Sequence, residues 1–433
     1  MRKNLLLCLA AFSMTLMTSY SCGGNSKDDT DPEVPVDPPV TQKDTALSAW
    51  KSGWLEIHAI STGKGECTFM IFPDGTSMII DAASAIDNTD YKIDAVPNDT
   101  KRPSQWIAQY INHCINPLGK SNIDYAMLTH FHPDHLGTYD TSLNGYNPTG
   151  AYYLNGITDI LDDFKVGTML DRGYPDYNYP SGSPNTGAAY TTNYRKCAKW
   201  HADNDGMKIE RFKVGTKDQI VLKYKASEYP EFQVRNLVCN GTYWTGTGDE
   251  TKDQYPANLA YQSGMDENEF SAGIKISYGK FDYFTAGDLT CENTLGSTWA
   301  DIEGTVADVV GEVDVMKADH HGSVHANGAH SLEKLSPDAV IVHSWRTVQP
   351  RANDMEVFTS SKTNSGKTKV FTTYLNTKNA ATFGTSLNSI MNPQGGHVVI
   401  KVHPGGNVYD IYVLSDKDTN YYVQKKFGPY KCK

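Results

Sequence analysis

Several features are scarce in this sequence of 433 residues, and each absence excludes a class of protein. The apolar stretch at residues 5–17 is too short to cross a bilayer comfortably, and the chain contains no internal repeat. None of the eight cysteines forms a Cys-x-x-Cys pair, so their spacing predicts no cysteine-ligated metal site. No Gly-x-Ser-x-Gly motif indicates a serine nucleophile. The net charge of −11 weighs against non-specific wrapping of nucleic acid, which needs clustered cations.

The first 45 residues differ in composition from the rest. Arg2 and Lys3 precede the apolar stretch, which predicts a signal peptide over residues 1–21. Cys22, followed by two glycines, resembles a bacterial lipoprotein cleavage site, and lipid there would anchor the chain to a membrane; simple secretion is the alternative. Residues 22–45 are rich in proline and aspartate and predict a stiff tether.

The segment Lys27-Asp28-Asp29 resembles the acidic signal of Bacteroidota lipoproteins on the outer face of the cell. It implies an outer-membrane lipoprotein exposed at the surface, whereas a plain solvated linker would leave a secreted or periplasmic protein. The composition beyond the tether is that of a globular protein, at 39% hydrophobic and 21% charged residues over the whole chain. It predicts a folded domain over residues 46–420 and a tail over 421–433.

The most informative stretch is residues 129–137, with the letters THFHPDHLG. It follows the short apolar run 123–128, which predicts a buried strand. Pro133 forbids a helix through the middle of the stretch and predicts a tight loop at the end of that strand. Residues 129–137 are called the His loop below.

The spacing within the His loop predicts two neighbouring metal positions. His130 and His132 are two residues apart, so they point the same way on an extended backbone. Asp134 and His135 are adjacent, so they diverge and can serve a second point. Nitrogen and oxygen ligands at two nearby points suit a pair of divalent cations.

This His-x-His-x-Asp-His segment after a strand resembles the signature of the metallo-β-lactamase superfamily. A Gly-x-Gly-acid turn at residues 63–66 and two strands ending at Asp81 resemble the hydrolase domain of competence-type DNA-uptake proteins. The resemblance covers residues 54–415. It implies an α/β (α+β) fold, an αββα sandwich with insertions, in which two mixed sheets are flanked by helices. It also implies that Asp81 orients the His loop without binding metal.

Two later motifs fit the same resemblance. A strand ending in Ala-Gly precedes Asp288, which the resemblance implies is the carboxylate bridging two metals. Residues 320–323, His-His-Gly-Ser, resemble a motif of competence-type proteins and choline-phosphate esterases. The resemblance implies that His321 binds the second metal and that His320 faces the substrate as a proton donor or phosphate contact; the reverse assignment stays open.

The third ligand of the first metal departs from the family pattern. The family usually has a further histidine at the end of the strand predicted at residues 164–170, where this chain has Asp171. His201 is the only histidine between the His loop and Asp288, and it lies in a predicted amphipathic helix, where a surface position is expected. We favour Asp171, since carboxylate oxygen is an acceptable ligand for zinc and a better one for manganese, and keep His201 as the alternative.

These ligands predict a hydrolase with two divalent metal ions, Zn²⁺ or else Mn²⁺, which share an activated water. Asp134 and His320 are the candidate catalytic groups. The bridging Asp288 and the His-His-Gly-Ser motif favour phosphoester cleavage, hence an extracellular phosphodiesterase acting on nucleic acid or on a phosphodiester-bearing polymer. No protein partner is evident from the sequence.

Two alternatives follow from other residues. A tyrosine-rich, proline-stiffened loop after Asp171 could cage a quaternary ammonium, which would make the protein a choline-phosphate esterase acting on a phosphocholine-bearing polymer; the loop could equally be a structural cover. The departure at Asp171 keeps open a surface-binding lipoprotein that has lost catalysis, and metal content would distinguish it from the enzymes.

Overall fold

Short apolar runs separated by glycine- and proline-containing turns give this chain its strands, as expected for buried sheets. The computed structural model describes residues 45–433 apart from 143–144, 293–295, 297 and 393. All of these residues lie within one compact unit. The predicted signal peptide, Cys22 and nearly all of the tether lie outside the described residues. Within the described part, no helix has the length and apolarity needed to cross a membrane.

Strands from the two ends of the described chain build the first sheet. The chain contributes its first six strands and its last three to it, in the order β17-β16-β15-β1-β2-β3-β4-β5-β6. Pairing is antiparallel from β17 to β3 and parallel from β3 to β6. The bounds are β1 Leu55–Ala59, β2 Thr68–Ile71, β3 Ser77–Ile80, β4 Asn122–Met127, β5 Lys165–Asp171, β6 Lys208–Arg211, β15 His397–Val402, β16 Val408–Leu414 and β17 Val423–Lys431.

The eight strands in the middle of the chain form the second sheet, in the order β14-β13-β12-β11-β10-β7-β8-β9. Pairing is parallel from β11 to β14 and antiparallel elsewhere. The bounds are β7 Phe232–Cys239, β8 Thr242–Trp244, β9 Thr251–Asp253, β10 Gly273–Tyr278, β11 Phe281–Thr285, β12 Val315–Lys317, β13 Ala339–Val342 and β14 Lys369–Thr372.

Helices cover the outer face of each sheet. Apolar spacing of three and four residues gives α1 a buried face with Ile107 and Ile111, which packs on the first sheet. The bounds are α1 Pro103–Ile115, α2 Pro133–Leu136, α3 Ile157–Asp163, α4 Pro184–Gly187, α5 Ala189–Asp205, α6 Ile302–Val310, α7 Ala329–Leu335, α8 Ala352–Phe358 and α9 Thr377–Ala380. Short 3₁₀ turns lie at Asn116–Leu118, Ala226–Glu228, Glu267–Phe270, Thr298–Ala300, Asp319–His321, Asn364–Gly366 and Gly384–Ser389.

Three buried apolar clusters follow these layers. One contains Ile57 of β1 together with Ile274 of β10, and thus fills the space between the two sheets. The second joins the first sheet to α1, α3 and α5, and the third joins the second sheet to α6, α7 and α8. The architecture is therefore helix, sheet, sheet, helix, and the predicted αββα sandwich with two mixed sheets is confirmed.

Two details differ from the sequence-based expectations. Residues 421–433 were expected to be a tail, but they contain β17, which pairs with β16 at the edge of the first sheet. His201 was expected at the surface, but it is only 5% exposed on α5. The six described cysteines are free thiols.

Candidate metal centre

The His loop lies where parallel strands of the first sheet end. It follows β4, which is flanked by β3 and β5 in parallel register, so the carboxyl ends of three strands meet here. Pro133 occupies the first position of the one-turn helix α2, where its missing N–H costs nothing, so the loop contains a helical turn that the sequence did not predict. Rigid strand ends on either side thus fix the start of the loop.

Two histidines of the loop are each anchored through Nδ1. His135 Nδ1 lies 2.8 Å from Asp81 Oδ2, and both side chains are fully buried. Thr129 Oγ1 donates to the same Asp81 oxygen at 2.7 Å, so its lone pairs are left to accept from His130 Nδ1 at 3.0 Å. Asp81 therefore orients both rings, in the way metal-bound histidines are held by an outer carboxylate.

The other two candidate histidines are held in the same manner. His321 Nδ1 donates to the backbone carbonyl of His343 at 3.0 Å. His132 Nε2 faces Asp266 Oδ1 at 3.4 Å. One nitrogen of each ring is thus directed to an acceptor, and the second nitrogen is free to bind a metal.

The free nitrogens converge on Asp288. Its Oδ2 lies 3.1 Å from His135 Nε2, 3.5 Å from His321 Nε2 and 3.9 Å from His130 Nε2. Asp134 Oδ2 lies 3.3 Å from His321 Nε2. Asp288 follows Gly287, which has a φ of +59°. A Cβ atom at this position would lie only 2.7 Å from Thr129, so only glycine fits here.

A second pair of ring nitrogens lies beside this group. His130 Nε2 and His132 Nδ1 face each other at 3.2 Å, close enough for one cation to contact both. His130 is fully buried, and burial together with the nearby His135 holds its pKa well below the usual range, so the ring is neutral as ligation requires. The structure therefore brings His130, His132, Asp134, His135, Asp288 and His321 together.

Orphaned polar atoms show that these residues fit a divalent cation. Within the described residues, His135 Nε2, His321 Nε2 and both Asp288 oxygens are buried and make no hydrogen bond. Buried polar atoms are almost always satisfied, and these four are all metal donors. Ligand atoms of Glu66, His135, Asp288 and His321 lie within 4.8 Å of one another.

Charge in the metal-free cluster is balanced by protons. Burial disfavours the Asp288 carboxylate, but His135 and His321 outweigh that effect and hold its pKa well below the usual range. Burial also opposes a charged His321, yet Asp288 and Asp134 raise its pKa to about 9. A metal bound here replaces those protons as the positive charge.

Sequence reasoning missed a buried ion pair below the cluster. Lys317 Nζ lies 3.0 Å from Glu66 Oε2 and 3.9 Å from Asp288 Oδ1, and it also donates to the Gly287 carbonyl. Burial disfavours the Lys317 ammonium, but Glu66 and Asp288 outweigh it and raise its pKa. Glu66 therefore already has a cation as partner. The acidic end of the Gly-x-Gly-acid turn was the available signal for Glu66.

The structure does not bring Asp171 into this cluster. Its Oδ1 accepts from the backbone N–H groups of Gly173 and Tyr174, and its Oδ2 accepts from the hydroxyls of Tyr177 and Tyr194, each at 2.7 Å. Four donors fill the four lone-pair positions of a carboxylate. This arrangement supports a structural role for Asp171 in place of the predicted ligand role.

Both ring nitrogens of His201, the alternative third ligand, have partners as well. His201 Nε2 lies 2.7 Å from the Tyr152 hydroxyl, and Nδ1 lies 2.5 Å from Asp205 Oδ2. Neither Asp171 nor His201 therefore offers a free ligand atom to His130 and His132.

Two tyrosines after Asp171, Tyr177 in the loop and Tyr194 on α5, close over its carboxylate. Tyr177 and Tyr194 are buried with their hydroxyls on that carboxylate. The Arg195 guanidinium already lies 4.3 Å from the centre of the Tyr177 ring. Of the two expectations for this loop, the structural cover is the one these contacts favour.

His320 is held at the rim of the cluster. Its Nδ1 donates to the Val324 carbonyl at 2.8 Å, which leaves Nε2 for a substrate. His320 and His321 both have positive φ, 49° and 57°, an uncommon backbone that is typical of functional sites. Burial lowers the pKa of His320.

Comparisons with known proteins give distant likenesses. No family model matches the sequence, and no curated protein matches it. A diphosphatase of the PhnP family is 10% identical at a TM-score of 0.30, covering 66% of this chain and 85% of that one. A metallo-β-lactamase mutant from Cronobacter sakazakii is 12% identical at 0.29, covering 60% and 75%. A long-form RNase Z from yeast is 10% identical at 0.28, covering 68% and 38%.

Identities and TM-scores at this level leave substrate and activity open. The described residues themselves form an αββα sandwich, with histidines and carboxylates clustered where β4 and β11 end. This fold and this cluster are what the resemblance to metal-dependent hydrolases of the metallo-β-lactamase superfamily implies.

Proposed function

We propose that the protein is a metal-dependent hydrolase with two divalent ions, acting outside the cell on a phosphodiester. The observation that carries the proposal is the convergence of the orphaned His135 Nε2 and His321 Nε2 on the equally orphaned Asp288 Oδ2. The first ion would be held by His130 and His132 and the second by Asp134, His135 and His321, with Asp288 between them. Bound there, two such ions supply a hydroxide at neutral pH and stabilise negative charge on the substrate.

The chain's own residues supply orientation and a proton route. Asp81 and the His343 carbonyl hold three imidazole rings so that their free nitrogens face inward. His320, anchored through Nδ1, presents Nε2 at the rim; once Nε2 takes up a proton, the ring can contact a phosphate oxygen or protonate the leaving alkoxide. Lys317 adds a fixed positive charge beneath Asp288.

Substrate class and location are the finer parts of the proposal. The bridging position of Asp288 and the His-His-Gly-Ser motif support phosphoester cleavage. The lipoprotein-like start of the chain supports an outer-membrane anchor through Cys22, with the hydrolase facing outward. The Tyr177–Arg195 contact speaks against the choline-phosphate alternative, because a cation already covers that ring.

A direct assay tests the proposal. Residues 45–433, which contain the whole described unit, are supplied with zinc or manganese and given bis(nitrophenyl) phosphate or nitrophenyl-phosphorylcholine. We expect the first substrate to be preferred, and His132→Ala and Asp288→Ala to abolish its hydrolysis. His330→Ala, at a surface histidine paired with Asp308, is the matched control.

Three outcomes would change the proposal. Preference for the second substrate would favour a choline-phosphate esterase. Two bound metals with neither substrate cleaved would reject phosphoester cleavage. Absence of bound metal would favour the silent binding lipoprotein.

A further inference from the structure

A short segment that precedes β10 of the second sheet holds the His loop in place. It comprises residues 266–272. Glu267 Oε1 accepts from the Phe131 N–H at 3.0 Å, and the Ala272 N–H donates to the Thr129 carbonyl at 2.9 Å. Glu267 is itself fixed by the buried Arg172 guanidinium at 2.6 Å. This segment therefore links the second sheet to the His loop at the proposed metal centre.

Asp266, the first residue of the segment, has two contacts. Its Oδ1 accepts from the Asn268 N–H at 3.1 Å and so caps the 3₁₀ turn Glu267–Phe270. The same oxygen lies 3.4 Å from His132 Nε2. Although the Asp266 side chain is 57% exposed, the cap holds its carboxylate in position against the ring.

The geometry points to Asp266 as the residue that selects which nitrogen of His132 binds metal. The negative carboxylate favours the tautomer in which the nearby Nε2 carries the proton, so that Nδ1 keeps its lone pair. That Nδ1 is the atom 3.2 Å from His130 Nε2. Asp266 is thus a positioning residue for the first ion, at the position where neither Asp171 nor His201 offers a ligand atom.

This inference deepens the proposed function, because it rests on the proposed two-ion site. The inference adds Asp266, which the sequence did not single out, and it assigns different roles to Asp266 and Glu267. Glu267 fixes the backbone of the His loop, whereas Asp266 fixes one ring on it. Outer carboxylates of this kind change metal affinity by about 10–100-fold when they are removed.

Asp266→Ser is the variant that separates capping from ring orientation. Serine caps a helix start as well as aspartate does, but its side chain is too short to reach His132. Asp301→Ser is the matched control, because Asp301 caps α6 through the Gly304 N–H at 2.8 Å and lies at no histidine. Asp266→Asn retains an acceptor oxygen and should restore part of the effect.

Zinc titration calorimetry on the full chain is the first measurement. We expect two sites in the unmodified protein, one site weakened about 10–100-fold in Asp266→Ser, and two unchanged sites in Asp301→Ser. The spectroscopic readout is ¹⁵N-histidine NMR of the zinc-loaded protein, where we expect Nε2–H and zinc-bound Nδ1 at His132. A purely structural cap would leave both readouts unchanged.

The outcomes are distinguishable. If the unmodified protein binds fewer than two zinc ions, the two-ion proposal fails and the role of Asp266 with it. If it binds two and Asp266→Ser binds both equally tightly, the role of Asp266 alone is overturned. Zinc on Nε2 of His132 in the unmodified protein would overturn it as well.

Discussion

The buried pair of Lys317 and Glu66 allows a quantitative prediction. Both side chains are fully buried, and Lys317 also lies 3.9 Å from Asp288. Lys317→Met keeps most of the side-chain volume and removes the charge. Two carboxylates would then be buried next to each other without their lysine.

The expected cost follows from the geometry. At the observed 3.0 Å between Lys317 Nζ and Glu66 Oε2, Coulomb's law gives about 5.5 kcal/mol for an effective dielectric constant of about 20. Removing one partner of a buried pair costs about 3–5 kcal/mol in practice, because the remaining charge is left uncompensated. We therefore expect Lys317→Met to lower the free energy of unfolding by about 3–5 kcal/mol.

Urea unfolding of metal-free protein in a chelating buffer measures this cost. The double variant Glu66→Gln/Lys317→Met removes both charges, so most of the stability should return. Lys199→Met is the matched control: its partner Asp203 is four residues away on α5 and both side chains are exposed, so the change should stay below about 1 kcal/mol.

Two results would refute this reasoning. One is a Lys317→Met protein that unfolds within about 1 kcal/mol of the unmodified chain. The other is a double variant that is as unstable as the single one, since the pair would then not be the source of the loss.

Three further predictions concern other buried groups and the metal. Burial raises the pKa of Asp354 to about 7, so the folded state holds its proton more tightly than the unfolded chain and the contribution of this group to stability falls as pH rises from about 4 to 7. Asp354→Asn should remove that contribution, so that its unfolding free energy in urea changes between pH 4 and 7 by up to about 4 kcal/mol differently from that of the unmodified chain; an unchanged slope would contradict the assignment. Asp171→Asn should keep the zinc content by elemental analysis while costing about 1–3 kcal/mol, because its donors lose a charged acceptor; zinc loss would instead restore its predicted ligand role. Zinc at a free concentration of 1,000 times its dissociation constant should raise the free energy of unfolding by about 4 kcal/mol. A melting temperature that does not change when zinc is added would argue against a zinc site in the folded protein.

Short-range patterns predicted the fold, and they identified most of the candidate ligands that the structure brings into one cluster. The His loop follows β4 of the first sheet, whereas Asp288 and His321 follow β11 and β12 of the second. Each motif could be recognised because it directly follows an apolar strand. The spacing of two residues on an extended backbone therefore predicted that His130 and His132 lie side by side. The fold prediction is confirmed on the same basis, because alternating strands and helices leave few ways to bury both faces.

Groups defined by how the chain around them folds could not be predicted in this way. Asp171 has the local pattern of a ligand at a strand end, but the backbone turn at Gly173 and Tyr174 and the hydroxyls of Tyr177 and Tyr194 fold back onto its carboxylate. Asp266 precedes a short 3₁₀ turn, and its partner His132 lies 134 residues earlier in the chain. Nothing in the letters around either aspartate distinguishes the two roles.

The order of strands in the first sheet has a consequence for biosynthesis. β1 lies between β2 and β15, so the sheet that carries the His loop stays open on one side until residues 397–431 have been made. The second sheet, with Asp288 and His321, is complete well before that point. A ribosome-bound chain can therefore contain every candidate ligand and still lack β15, β16 and β17 of the first sheet. We expect metal capture to follow release of the whole chain, so that the compartment in which folding finishes decides which ion is acquired.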